Sequence, residues 1–243
     1  MPLDLNLNSN FNFPEKSSRF LIPGPLGDQI PLELALDYPR ENIKHLPIIF
    51  IMCHPNPLEG GTMDNKVVTT SIKAMNKLGV LGLRFNFRGV GESLGDYGNT
   101  AGESEDLLEI INWVKKSKPD YDIWLGGFSF GSYIAYKLAG QLDLLGFYPE
   151  QLLTIAPAVT RWDYTKLNTP DSDHTNWLCL IGDQDEVVNI QDVFNFVSGV
   201  NTQSTLIKFK NTGHFFHQRL IKLDQVLTQY YSGVLSSGVL NSR

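Results

Sequence analysis

The sequence predicts an α/β fold in which helices cover both faces of a mainly parallel sheet. From residue 47 onward, short uninterrupted apolar runs alternate with stretches in which apolar residues recur at helical spacing. Strands that are buried on both faces read as continuous apolar runs, so this alternation is typical of parallel strands covered by helices. Before residue 47, two strand-like runs joined by a segment rich in Pro and Gly predict an antiparallel hairpin.

The hairpin strands are predicted at 18–22 and 30–36, and six further strands bring the sheet to eight, at 48–53, 80–85, 123–127, 152–156, 177–181 and 205–210. Alternate lysines in the last strand indicate an exposed edge. Five helices are predicted, around residues 68–78, 107–114, 133–138, 190–197 and 220–230. Only the segment 159–176 is long enough to cover the mouth of a pocket, so no lid domain is expected.

Length and composition limit the class of protein. At 243 residues, an α/β chain commonly forms one domain, so we predict a surface arm at 1–16 and a single domain at 17–243. The balance of 20 basic and 26 acidic residues gives a net charge of −6, and no basic cluster indicates a nucleic-acid partner. Cys53 and Cys179 lie in apolar runs and are predicted to be buried thiols rather than a disulfide framework.

No signal peptide and no apolar run of about 20 residues is found, which predicts a cytoplasmic protein without a membrane partner. The stretch Gly89-Val-Gly91 matches a dinucleotide-binding fingerprint only in part, and no pair of Cys or His has metal-binding spacing. We therefore expect neither a cofactor nor a metal. The sequence does not predict the oligomeric state.

The stretch from Gly127 to Gly131 reads G-x-S-x-G and joins an apolar strand to a helical pattern. In this pattern the serine, here Ser129, sits on a strained turn with its hydroxyl above the sheet. Side chains at the two flanking glycines would clash, because the neighbouring strand and the new helix come close. The alternative is a glycine-rich strand-to-helix turn with a capping serine.

Ligands gather at the carboxyl ends of parallel strands, where Ser129, Asp185 and His214 follow three different strands. An imidazole can take the proton of a serine hydroxyl and return it to a leaving group, while a carboxylate orients the imidazole. We predict Ser129 as nucleophile, His214 as base and Asp185 as acid. The competing residues are His217 for the base, and Asp183 or Glu186 for the acid; the alternative for Asp185 is an N-cap of the next helix.

Two backbone N–H groups are expected to stabilise the oxyanion that forms during attack on a carbonyl. Phe130, which follows the nucleophile, supplies one. In the loop after the 48–53 strand, Pro55 and Pro57 have no N–H, which leaves Asn56 for the other. His54 is expected to order this loop, with a part in proton transfer as the alternative, and to line the substrate site. Trp162 and Tyr164, in the covering segment, are the other predicted substrate-binding residues.

Five motifs carry a resemblance to small, lidless bacterial α/β-hydrolases related to dienelactone hydrolases and esterases. They are HPNPLEGGTMDNKV at 54–67, LRFNFRGVG at 83–91, GFSFG at 127–131, GDQDEVV at 182–188 and GHFFH at 213–217. The resemblance implies the α/β-hydrolase fold and the same three catalytic residues. Asn56 replaces the second histidine usual in the His-Pro-His-Pro loop of this family. Dienelactone hydrolases use cysteine at the position of Ser129, so their substrate is not implied.

We therefore expect a carboxylesterase-like serine hydrolase that cleaves small or short-acyl esters through an acyl-enzyme. The short covering segment favours small-molecule esters over long-chain lipids. A peptidase, a thioesterase or an acyltransferase could use the same three residues. A hydrolase-like domain that only binds a partner is the non-enzymatic alternative.

Overall fold

The computed structural model describes residues 13–143, 147–171, 173–200 and 203–237. Its eight strands are β1 (Ser18–Gly24), β2 (Gly27–Asp37), β3 (Ile48–Cys53), β4 (Leu81–Phe85), β5 (Asp122–Phe128), β6 (Gln151–Ile155), β7 (Asn176–Gly182) and β8 (Ser204–Phe209). The helices are α1 (Lys66–Asn76), α2 (Ala101–Ser117), α3 (Phe130–Asp143), α4 (Ile190–Gly199) and α5 (Leu220–Ser236). Two short 3₁₀ helices cover Pro57–Glu59 and Tyr164–Lys166.

The strands form one sheet in the order β1-β2-β4-β3-β5-β6-β7-β8. The pairs β1–β2 and β2–β4 are antiparallel, and every other neighbouring pair in the described sheet is parallel. The predicted fold class and the N-terminal hairpin are therefore confirmed. The pairing adds one detail: β2 alone runs against the other described strands, and β1 runs with them.

The helices cover both faces of the sheet, as predicted. On one face α1 packs against α5, and on the other α2 packs against α3. Aromatic contacts connect the sheet to both layers: Trp124 of β5 stacks on Tyr231 of α5, and Trp177 of β7 meets Tyr136 of α3 edge-on. The strands between them are buried along nearly their whole length.

The outer strand β8 pairs only with β7 in the described sheet, and its Lys208 is exposed, as is Lys210 just beyond the strand. The predicted lysine-bearing edge is confirmed. Both cysteines are buried and unpaired, and burial raises their pKa, that of Cys179 to about 12. They are therefore poor nucleophiles, in agreement with their predicted role as small apolar side chains.

Residues 1–12 of the predicted surface arm lie outside the described residues. The last part of the arm packs on the domain, where Phe13 stacks on Trp113 with a centroid distance of 5.0 Å. None of the described helices is both long and apolar enough to cross a membrane.

Candidate active site

Ser129 lies on the sharp turn between β5 and α3, as predicted. Its φ of 53° places a non-glycine residue in the left-handed region, which costs conformational energy. The turn is held by backbone bonds: the N–H of Ser129 donates to the carbonyl of Ile155 (2.8 Å), and Ser132 donates to the carbonyl of Ser129 (3.0 Å). The strained turn leaves the hydroxyl at the carboxyl edge of the sheet.

Two close backbone approaches explain the glycines of this turn. A Cβ atom at Gly127 would lie 2.0 Å from the carbonyl oxygen of Gly131. A Cβ atom at Gly131 would lie 2.4 Å from the carbonyl oxygen of Cys53, at the end of β3. Any larger residue at either position would force the strand and helix apart, as the sequence pattern predicts.

The structure brings together the three side chains that the sequence predicts as nucleophile, base and acid. The hydroxyl oxygen of Ser129 is 3.0 Å from Nε2 of His214, and Nδ1 of His214 is 2.8 Å from Oδ2 of Asp185. Because an ionised carboxylate only accepts, Nδ1–H of His214 donates to Asp185, and Nε2 is free to accept from Ser129. All three side chains are buried or nearly so.

The carboxylate of Asp185 is fixed from a second side. Its Oδ1 accepts the backbone N–H groups of Val187 (2.9 Å) and Val188 (2.7 Å). The alternative interpretation, an N-cap of α4, does not hold, because Asn189 occupies that position and its side chain accepts from Gln191. Asp185 therefore faces His214 in one orientation.

The competing residues have other contacts. Asp183 accepts the backbone N–H of Thr212 at 3.3 Å, and His217 is exposed beside Phe215. Glu186 is not a first-turn charge of α4, which begins later; its carboxylate accepts the backbone N–H of His214 at 3.1 Å. Sequence reasoning missed this contact, through which Glu186 fixes the backbone of His214.

The two residues predicted as oxyanion donors belong to segments next to Ser129: Phe130 follows it in the chain, and Asn56 lines the same cavity. Phe130 is the first residue of α3, where a backbone N–H has no partner within its own helix. The carbonyl of Asn56 accepts the N–H groups of Glu59 and Gly61, which folds the loop after β3 into a compact turn. Asn56 and Ser129 line the same cavity, with a volume of about 110 Å³.

We call this space the Ser129 cavity. Its lining includes the polar residues Asn56, Glu59 and Asn65 and the apolar residues Val187 and Phe215. Its volume is well below the roughly 300–1,000 Å³ of typical small-molecule sites. In the described part of the chain, no group of three His, Cys, Asp or Glu side chains is placed to hold a metal ion.

The prediction that His54 lines the substrate site is wrong, because its side chain is entirely buried. Its Nδ1 donates to the carbonyl of Pro55 (2.6 Å), and its Nε2 accepts the backbone N–H of Phe87 (3.0 Å). Burial lowers the pKa of His54 to about 4, so the ring is neutral near pH 7. Its expected role in ordering the loop agrees with these contacts.

The predicted substrate-binding role of Tyr164 is also corrected. Tyr164 is buried and lines a separate cavity of about 360 Å³, next to Tyr136 and Phe196. Trp162 is half-buried and does not line the Ser129 cavity, but its ring lies 5.0 Å from that of Phe130. The aromatic residues of the segment 159–176 therefore pack along α3: Trp162 contacts Phe130, and Tyr164 contacts Tyr133 and Tyr136.

Comparison with known proteins points to one group. A lidless α/β serine hydrolase of Xanthomonas campestris is 39% identical, with a TM-score of 0.82 over 90% of this chain and 95% of that one. An α/β serine hydrolase homologue of Coxiella burnetii is 40% identical, with a TM-score of 0.81 over 90% and 99%. An uncharacterized protein of Rickettsia prowazekii is 30% identical over 82% of this chain and 84% of its own. A scan against protein-family models finds no match.

Proposed function

Because the chain belongs to the bacterial α/β serine hydrolases without a lid, and is thus an enzyme of the hydrolase class, we propose that it cleaves small or short-acyl carboxylic esters through an acyl-enzyme. The observation that carries the proposal is the continuous hydrogen-bonded chain from the hydroxyl of Ser129 through the ring of His214 to the carboxylate of Asp185.

In the first half-reaction the oxygen of Ser129 attacks the ester carbonyl while Nε2 of His214 takes the hydroxyl proton. The carbonyl oxygen becomes an oxyanion, which the N–H groups of Phe130 and Asn56 stabilise. When the tetrahedral intermediate collapses, the bond to the alcohol breaks and His214 returns the proton to the departing oxygen. Water, activated by His214, then attacks the acyl-enzyme and releases the acid and free Ser129.

Asp185 has two roles in this mechanism. Its bond to Nδ1–H holds the imidazole in the tautomer that leaves Nε2 free to accept, and its charge stabilises the imidazolium that forms during attack. Glu186 supports the same geometry through the backbone of His214. Hydrogen bonds thus hold both the side chain and the backbone of His214.

The size of the Ser129 cavity supports a small substrate. A volume of about 110 Å³ holds only a small part of a molecule, and the larger cavity of about 360 Å³ that the segment 159–176 lines includes neither Ser129 nor His214. We therefore propose acetyl to butyryl esters as the preferred class.

Aryl esters of increasing acyl length test this proposal. We expect kcat/KM to be highest for the shortest acyl groups and kcat to fall about 10⁵- to 10⁶-fold in Ser129→Ala. Ser236→Ala, an exposed hydroxyl at the end of α5, is the matched control and should retain full activity. Turnover that survives Ser129→Ala would refute the mechanism.

A thioester and an amide of the same acyl group should be included in the panel. Faster turnover of either one would favour the thioesterase or peptidase alternative, and acyl transfer to an added alcohol would favour an acyltransferase. No turnover of any compound would favour a binding protein. The expected cytoplasmic location, and the expected absence of cofactor, nucleic-acid and membrane partners, stay predictions that cell fractionation and analysis of the purified protein would test.

A further inference from the structure

An ion pair connects two segments that are 102 positions apart in the chain. Arg161, in the segment 159–176, donates from Nη1 to Oε2 of Glu59 (3.2 Å) and from Nη2 to Oε1 (2.5 Å). Such a bidentate ion pair fixes the relative orientation of both side chains better than a single hydrogen bond does. We call the segment 159–176 the cover segment; its residue 172 lies outside the described residues.

Glu59 forms part of the wall of the Ser129 cavity. Arg161 and, to a lesser degree, the side chain of Asn56 act to lower the pKa of this carboxyl group. The amide oxygen of Asn56 accepts the N–H of Leu58. The carboxylate is therefore held at the edge of the site by one neighbour from its own loop and one from the cover segment.

Arg161 connects Glu59 to the nucleophile turn. Its guanidinium lies over the ring of Trp162 at 5.3 Å, and that ring packs edge-on against Phe130, the residue after the nucleophile. A displacement of the cover segment would therefore change the position of Arg161 relative to Ser129 and release Glu59 from its second partner.

We propose that the Glu59–Arg161 pair closes one side of the Ser129 cavity and thereby restricts the acyl group to short chains. This inference rests on the ester hydrolysis proposed above. The cavity is too small for a long acyl group as it stands, so a longer chain requires one wall to move. The side chains of Arg161 and Glu59 are 40% and 55% exposed, and exposed pairs are weak enough to open during turnover.

Arg161→Gln tests the proposal, since it removes the charge and leaves Glu59 and Asn56 in place. The measured quantity is the ratio of kcat/KM for a hexanoyl ester to that for an acetyl ester of the same alcohol. We expect this ratio to rise about two- to fivefold, the upper part of the range that an exposed pair can supply. In the wild type, 0.5 M NaCl should raise the ratio in the same direction, and in Arg161→Gln it should have no further effect.

Lys166→Gln is the matched control. Lys166 is also a cation of the cover segment, but its partner Asp163 lies three residues away in the same segment, at 2.9 Å. Its removal should leave the ratio unchanged. The double reversal Glu59→Arg with Arg161→Glu should return the ratio toward the wild-type value.

An unchanged acyl-length ratio in Arg161→Gln, in an enzyme that hydrolyses acetyl esters, would overturn the inference and leave the proposed function intact. The inference would also be overturned if Arg161→Gln changed kcat/KM only among esters that differ in their alcohol and share one acyl group. If the wild type hydrolyses no ester, the proposed function itself fails, and the two failures are thus distinguishable.

Discussion

Phe87 donates its backbone N–H to Nε2 of His54 across 3.0 Å, and this bond ties the loop after β3 to the loop after β4. The other ring nitrogen of His54 donates to the carbonyl of Pro55, next to the proposed oxyanion donor Asn56. A protonated ring could not accept from Phe87, because both nitrogens would carry hydrogen. The folded loop therefore requires a neutral His54.

This requirement predicts a loss of stability in mild acid. Burial lowers the pKa of His54 from about 6.5 in the unfolded chain to about 4. Between those values the unfolded state binds more protons than the folded state, so the free energy of unfolding falls as the pH falls, by about 3 kcal/mol at most. The contribution of neutral His54 to the free energy of unfolding is fully present above pH 6.5. Urea denaturation at several pH values between 4 and 7.5 measures it.

In His54→Asn the free energy of unfolding should depend less steeply on pH between 4 and 7.5, whatever the absolute stability of this variant. His217→Asn, which replaces an exposed histidine near the site, serves as the control and should keep the wild-type slope. An identical slope in wild type and His54→Asn would contradict the assignment of the acid-sensitive step to this ring.

Asp185→Asn should lower kcat far more than it changes the fold. An amide can donate to Nδ1 and so favour the tautomer whose Nε2 carries the hydrogen, which prevents acceptance from Ser129; the matching change in serine proteases costs about 10⁴-fold. Asp183→Asn, two residues away, should cause no comparable loss, because its carboxylate contacts Thr212 rather than His214. Steady-state kinetics of both variants decide between the two carboxylates, and an equal loss in both would argue against the assignment.

Replacing each of two helical glycines by alanine should change the free energy of unfolding in opposite directions. At Gly131 a methyl group would meet the carbonyl oxygens of Cys53 and His54 at 2.4 and 2.6 Å, so we expect a loss of about 1–3 kcal/mol in unfolding free energy and reduced turnover. At Gly233, in α5, no atom of the described residues outside its own stretch of helix lies within 4 Å of such a methyl group, and alanine should stabilise the helix by up to about 1 kcal/mol. Chemical denaturation measures both. An unchanged or increased unfolding free energy in Gly131→Ala would show that the close approach at Gly131 is not limiting.

The sequence predicted the fold and the three central residues because both depend on local patterns. Uninterrupted apolar runs mark strands that are buried on both faces. The residues that directly follow these parallel strands lie at the carboxyl edge of the sheet, where ligands bind. Ser129 could be predicted from the glycines that its turn requires. Asp185 and His214 could be predicted because they follow the last two strands at the same edge of the sheet.

Other features depend on tertiary contacts that no local pattern encodes. The path of the cover segment decides that Tyr164 lines a different cavity and that Arg161 reaches Glu59. Aromatic content predicted a role in binding but did not indicate which way the segment folds. Likewise, Glu186 looked like a helix-terminal charge because its contact with the backbone of His214 comes from a strand end 28 positions away.

The most direct test of the account is covalent labelling of the nucleophile. A fluorophosphonate should react with the folded wild-type protein at a single serine, and peptide mass spectrometry should place the adduct on Ser129. Labelling should be lost in Ser129→Ala and strongly reduced in His214→Ala, because the unassisted hydroxyl is a poor nucleophile at neutral pH. An adduct on another residue, or equal labelling of wild type and His214→Ala, would contradict the claim that His214 activates Ser129.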